Sequence, residues 1–273
     1  AMIVDTPLGQ FVLKKGNNNK IYKYLASRNF EYFPKLIDSD EEETIYEYIE
    51  DINYDDSQRA FDIIHVIALL HSKTTYYKEV DYDEYKTIYE ETINKIDYIY
   101  NYYLDIINVI ESKIYMSPSE YLIARNISKI FSCIYFCKNE MESWYELVKT
   151  KKRKRVVTLH NNLKLDNLIK NKQTFLISWD KSKIDMPIYD IVNFYNRYAL
   201  NFDFKGLLSE YERIFPLLED EKKLLGVLIS IPEKITNTKS EYEMVKSVRY
   251  LLDKIYKTEI LLTPEEEEKT KST

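Results

Sequence analysis

The sequence predicts an α+β chain with a short antiparallel sheet region first and a large, mostly helical region after it. Three observations carry this. Short apolar runs separated by turn residues occupy the first fifty positions. Apolar residues then recur at three- and four-residue intervals from residue 58 onward. Among those helices sits one strand–loop–strand pattern, Val157–Ile169 followed by Phe175–Asp180. The 273 residues suffice for one large core or two lobes. A composition 45% hydrophobic and 31% charged belongs to a globular chain. No run approaches the roughly 18 apolar residues that span a bilayer. The N-terminus lacks the succession of a signal peptide, so a cytoplasmic protein is expected. Ala1 before Met2 reads as an expression scar.

Met2–Asp5 and Gln10–Lys14 flank Thr6-Pro7-Leu8-Gly9, a turn signature, and read as a hairpin. Lys20–Arg28 carries a helical pattern. Leu36-Ile37 and Thr44–Glu50 bracket a polar turn and read as a second antiparallel pair. Asp51–Ser57 is a polar connector. Gln58–His71 is an amphipathic helix with Phe61, Ile64, Ile67, Ala68 and His71 on its apolar face. Residues 82–115 and 118–149 read as two long helices or helix groups, Pro118 opening the second after Ser117. Further helices are expected at 187–199, 204–217, 219–230 and 239–258, then a charged, disordered tail at 263–273. Cys133 and Cys137, four apart, read as buried reduced thiols on one helix face, which suit a reducing compartment.

Three landmarks in register carry a family resemblance: His160-Asn-Asn162-Leu-Lys-Leu-Asp166-Asn167, Ile177-Ser178-Trp179-Asp180 and Pro187-Ile-Tyr-Asp190. They resemble the aminoglycoside phosphotransferase and choline kinase family, including its bacterial spore-coat-kinase-like branch, over roughly residues 10 to 195. The resemblance implies a two-lobed protein-kinase-like fold. Residues 2–52 would form a reduced N-lobe, and 58–262 a helical C-lobe holding a catalytic-loop-like segment at 157–180. Where the family has its catalytic Asp this chain has Asn162, and where it has its metal-chelating Asp this chain has Ser178.

The resemblance assigns His160 a structural role in the loop, proton transfer being the alternative, and Asn167 the second magnesium ligand. Asp190 would brace the loop from below. Lys14, at the end of Gln10–Lys14, matches the phosphate-binding lysine; a solvated lysine at a strand end is the other reading. No acid lies between Lys15 and Phe30 to hold it. Backbone at Tyr48 and Ile49 would meet an adenine. If 176–180 is extended, Asp180 shares a face with Ser178 and reaches a metal; otherwise it pairs with Lys181 or Lys183. A glycine-rich loop over the phosphates is not legible, since Gly9 has no second glycine near it.

An amide is no base near neutral pH, and a hydroxyl is a poor ligand for a hard dication. The expectation is therefore a pseudokinase-like protein that has lost efficient phosphotransfer, with ATP and magnesium binding in doubt. It would act by binding a small molecule or a protein. The alternatives are an active ATP-dependent small-molecule kinase using Asp166 or Asp180, and an unrelated helical interaction protein. The net charge of -6 argues against a chain-wide nucleic-acid footprint. The basic run Lys151–Arg155 reads as a solvated loop, an anionic partner being the alternative.

Overall fold

A computed structural model describes residues 1–7, 9–16, 19–40, 42–235 and 240–263. Past Thr263, the tail expected at 263–273 lies outside the described residues. The chain divides into two compact units, Ala1–Asp81 with Lys151–Leu225, and Tyr82–Thr150 with Gly226–Thr273.

In the first unit the opening turn closes β1 (Met2–Thr6) on β2 (Gly9–Lys15), antiparallel from Met2↔Leu13 to Thr6↔Gly9. Gly9 has φ 127°, a conformation open to glycine at no steric cost. Helix α1 (Asn19–Ser27) buries Tyr22 and Leu25. β3 (Leu36–Ser39) and β4 (Glu43–Glu47) complete a four-stranded sheet of order β1-β2-β4-β3. The sequence pattern extends the last strand to Glu50, but the ladder stops at Glu47. There Glu47 N donates to Lys35 O at 3.0 Å, but Lys35 N donates to the Glu47 side-chain carboxylate at 2.7 Å instead of returning to the backbone, and the ladder ends. Tyr48 and Ile49 therefore lie beyond the sheet.

α2 (Asp56–Thr74) starts at Asp55, whose carboxylate accepts from Ser57 N at 2.8 Å and Gln58 N at 3.3 Å. It buries Ala60, Ile63, Ile64, Ile67, Leu70 and His71. Phe61, expected on this face, is 38% exposed. At 3.6 residues per turn it sits roughly 120° from Ile67, at the rim of the buried arc. β5 (Tyr76–Glu79), unread in the sequence, follows.

In the second unit α3 (Tyr82–Glu111) packs along α4 (Pro118–Val148). Ser117 and Glu120 form a reciprocal capping box at the start of α4, with Pro118 in its first turn. Cys133 and Cys137 are free thiols on α4, the first half-buried and the second buried.

The chain returns to the first unit with β6 (Arg153–Leu159), β7 (Leu168–Lys170), β8 (Thr174–Leu176) and β9 (Lys183–Asp185). β6 lies between β5 and β9, and β7 pairs with β8. The basic run is thus largely strand, not loop, because alternation sends neighbouring cations to opposite faces, where acids meet them. Lys151 pairs with Asp220 at 2.8 Å, Arg153 with Glu79 at 3.4 Å and the buried Lys154 with Asp185 at 3.9 Å. Arg155 pairs with Glu221 and lies 4.1 Å over the Phe215 ring.

Helices α5 (Ile188–Tyr198), α6 (Phe204–Ile214), α7 (Glu219–Ser230) and α8 (Glu241–Leu262) follow. α6 packs on α2 in the first unit, and α8 on α4 in the second. No helix among the described residues is long and apolar enough to cross a membrane.

Candidate functional site

β6 ends at Leu159 and delivers His160 into the interior, where the residue is fully buried. Its Nε2–H donates to Ile177 O at 2.9 Å, which fixes the proton on that nitrogen. Trp179 packs edge-on against the ring with centroids 4.7 Å apart, and its indole N–H donates to Leu176 O at 2.9 Å. Burial pushes the His160 pKa below the ordinary imidazole value, so the ring is neutral. This geometry gives His160 a structural part, joining the loop to the residue before Ser178.

Asp190, in the first turn of α5, is also fully buried. Its carboxylate accepts from His160 N at 2.8 Å and Asn161 N at 2.7 Å. His71 Nε2 lies 3.3 Å from the same carboxylate, and Tyr211 Oη lies 2.6 Å from His71 Nδ1. Burial raises the Tyr211 pKa well above the phenol range, so its O–H stays on and donates to Nδ1. The Nε2–H of His71 then points at Asp190. A buried carboxylate with this many donors is a brace.

Above the brace, Asn161 adopts φ 57° and ties sideways, its Nδ2 donating to Lys181 O at 3.0 Å. Asn167 Nδ2 donates to Asn162 O at 2.7 Å, while Ile177 N donates to Asn167 O at 3.0 Å. The succession brings Asn162, Asn167 and the residue before Ser178 together. Among the described residues the Asn162 side chain has no hydrogen-bond partner. Asp166 is exposed and stands outside this network.

Residues 176–180 are not extended. Ser178 is left-handed, at φ 67° and ψ 52°, and Trp179–Lys181 form a 3-10 turn. A left-handed non-glycine residue costs roughly 1–2 kcal/mol, so the surrounding bonds hold Ser178 there. The turn brings Asp180 to β2, where Lys14 Nζ meets its carboxylate at 2.5 Å. Lys14, opposite Thr44 in the sheet, thus finds its acid 166 positions along the chain. Both side chains are partly exposed, 23% and 47%, and such a pair contributes about 0–1 kcal/mol. Tyr22 lies close by; burial foremost, then Tyr46 and the Asp180 charge, raise its pKa.

The segment after β4 docks on the β7–β8 hairpin. Ile52 N donates to Lys170 O at 2.8 Å, Asp51 accepts from Lys170 N at 2.8 Å, and Arg59 reaches Leu168 O at 2.7 Å. Tyr48 is 36% exposed and Ile49 is half-buried. Among the described residues their backbone N–H groups take no backbone partner, which leaves them free for a ligand edge.

For a magnesium ion, Asn167, Ser178 and Asp180 offer one carboxylate and two neutral oxygens, the carboxylate already committed to Lys14. Among the described residues no group of three or more His, Cys, Asp or Glu is placed to hold a metal. Magnesium is usually held by one or two carboxylates together with substrate phosphates, and the single carboxylate of this set could serve only by leaving Lys14. The sequence reading missed His71 and Tyr211 as members of the brace. A histidine on the apolar face of α2 was the available signal.

No family model matches this sequence, and no curated protein does. Solved structures do. An aminoglycoside phosphotransferase from Alicyclobacillus acidocaldarius matches with a TM-score of 0.67, over 95% of this chain and 88% of that one, at 10% identity. The fold is that of the aminoglycoside phosphotransferases. The AMP-bound spectinomycin phosphotransferase APH(9)-Ia matches with a TM-score of 0.52, over 94% of this chain and 88% of that one, at 14% identity. The choline kinase LicA of Streptococcus pneumoniae covers 93% of this chain and 89% of its own at 17% identity, with a TM-score of 0.44. At 10% and 14% identity the first two establish the fold and leave the chemistry to the residues.

Proposed function

We propose that this chain is a pseudokinase-like, cytoplasmic protein on a phosphotransferase fold, with weak or absent phosphoryl transfer and a role in binding a small molecule or a protein. What supports the reading is the contrast within one loop. The Asp190 brace is complete, while Asn162 and Ser178 above it are uncharged. Phosphoryl transfer asks a protein chiefly for positioning and charge neutralisation. Positioning is provided; anionic oxygen for a dication and a base for the acceptor hydroxyl are not. Losing a general base alone costs about 10²–10⁴-fold.

A nucleotide would place its base against the free backbone at Tyr48 and Ile49 and its phosphates at Lys14, displacing Asp180. The two free thiols, Cys133 and Cys137, suit the reducing compartment proposed. The test compares γ-phosphate release and transfer by wild type, Asn162→Asp with Ser178→Asp, and Asp180→Ala. Negligible rates for wild type, with a gain on restoring both acids, are expected.

One observation favours a second reading, an active divergent kinase. The Lys14–Asp180 contact of 2.5 Å puts a carboxylate beside the candidate phosphate lysine, two residues past Ser178. Under this reading wild type turns over ATP and Asp180→Ala abolishes it.

A further inference from the structure

The second unit holds a cavity of about 540 Å³ between α4 and α8, closed at one side by the end of α7. Its volume falls in the range of small-molecule sites, roughly 300–1,000 Å³. Both long helices contribute a stripe. Lys129, Cys133 and Phe136 recur along α4 at helical spacing, and Leu252, Ile255, Glu259 and Leu262 along α8. The wall is mainly apolar, from Cys133, Phe136, Leu252, Ile255 and Leu262. Cys133 donates its S–H to Ser230 O at 3.1 Å, so that polar group of the wall is satisfied from within.

Two charges of opposite sign also line it, Lys129 from α4 and Glu259 from α8, beside uncharged polar residues such as Asn126, Ser132 and Thr258. Both are exposed, and among the described residues neither has an ion-pair partner. They line the same cavity without pairing with each other. A cation on one helix and an anion on the other, across a largely apolar lining, suit a ligand that carries both charges. A zwitterion would meet both of them, a single-charge amphiphile only one.

We infer that this cavity binds a small zwitterion with apolar side chains, of the class of an apolar dipeptide. Its carboxylate pairs with Lys129, its ammonium with Glu259, and its side chains enter the wall beside Cys133. Electrostatic complementarity of this kind sets specificity more than raw affinity. Blocking either ligand charge should therefore hurt selectively.

The experiment uses the full chain and three probes: leucyl-leucine, its N-acetyl derivative (an anion) and its C-terminal amide (a cation). Titration calorimetry should show saturable binding of leucyl-leucine, with each blocked probe weaker on the order of tenfold. Lys129→Ala should erase the preference over the amide, and Glu259→Ala the preference over the acetyl form. Both side chains are exposed, so neither change threatens folding. Alkylation of Cys133, followed by peptide mass spectrometry, should slow about tenfold at saturating leucyl-leucine. The buried Cys137 serves as the internal control. Equal binding of all three probes, absence of saturable binding at millimolar concentration, or unchanged Cys133 labelling would each overturn the assignment.

Discussion

Asp190 and Asp180 are carboxylates of the same small region, and the molecule treats them in opposite ways. Asp190 is wholly buried and receives two backbone N–H groups and the edge of His71. Asp180 is 47% exposed and pairs with the flexible Lys14. Around Asp190 every partner is fixed by a helix or a strand end. Around Asp180, Asn162 and Ser178 the side chains are small, neutral or free to turn. The comparison teaches that shape in this loop is maintained by buried hydrogen bonds independent of the groups that would do chemistry. One set can therefore be changed without undoing the other.

The largest expected effect tests the buried half. Asp190→Ala strands two backbone N–H groups and His71, and should destabilise the chain by about 3–5 kcal/mol in urea unfolding. A loss under about 1 kcal/mol would mean that the loop is held by something else. Next comes the strained position. Ser178→Val puts a β-branched side chain in a left-handed residue and should cost about 1–2 kcal/mol, while Ser178→Gly should be neutral or slightly stabilising. Equal effects of the two changes would contradict the left-handed backbone.

Smaller again is a pH effect from His160. Its pKa in the folded chain lies below the unfolded value of about 6.5, so the unfolded state takes up a proton first as pH falls. Stability contributed by the neutral ring is complete above about pH 6.5 and declines below it toward the folded pKa. His160→Gln should flatten this part of the stability profile between pH 7.5 and 5; an unchanged slope would remove His160 as its source. Smallest is Asp180→Ala, expected to change stability by less than about 1 kcal/mol, since the pair it breaks is open to solvent. A cost above about 2 kcal/mol would place Asp180 with the brace and erase the contrast.

Much of the fold was legible because punctuation and periodicity agree locally. The turn at Thr6–Gly9, the Ser117-Pro118 helix start and the spacing of α2 each specify an element without distant help. The edges were less so. Phe61 looks core-facing by spacing, yet only neighbours in space decide which side of a wide arc is covered. The basic run misled because a charged strand reads as solvated until its acids, Glu79, Asp185 and Glu221, are brought in from elsewhere. In the site, the order of His160, Asn162, Asn167 and Asp190 was readable as a motif. The left-handed turn at Ser178 was not, since serine gives no signal for that conformation. Nor was the Lys14–Asp180 contact, which joins residues 166 positions apart.

If, as proposed, a braced loop stands here without the anionic oxygen needed to use a dication, magnesium should add little to nucleotide binding. Calorimetric titration with ATP, run with and without magnesium and with released phosphate measured in the same samples, tests it most directly. The expected result is a change in affinity with magnesium of less than about threefold, with no phosphate released above the uncatalysed background. Affinity rising more than about tenfold with magnesium, accompanied by phosphate release that Asp180→Ala removes, would contradict it.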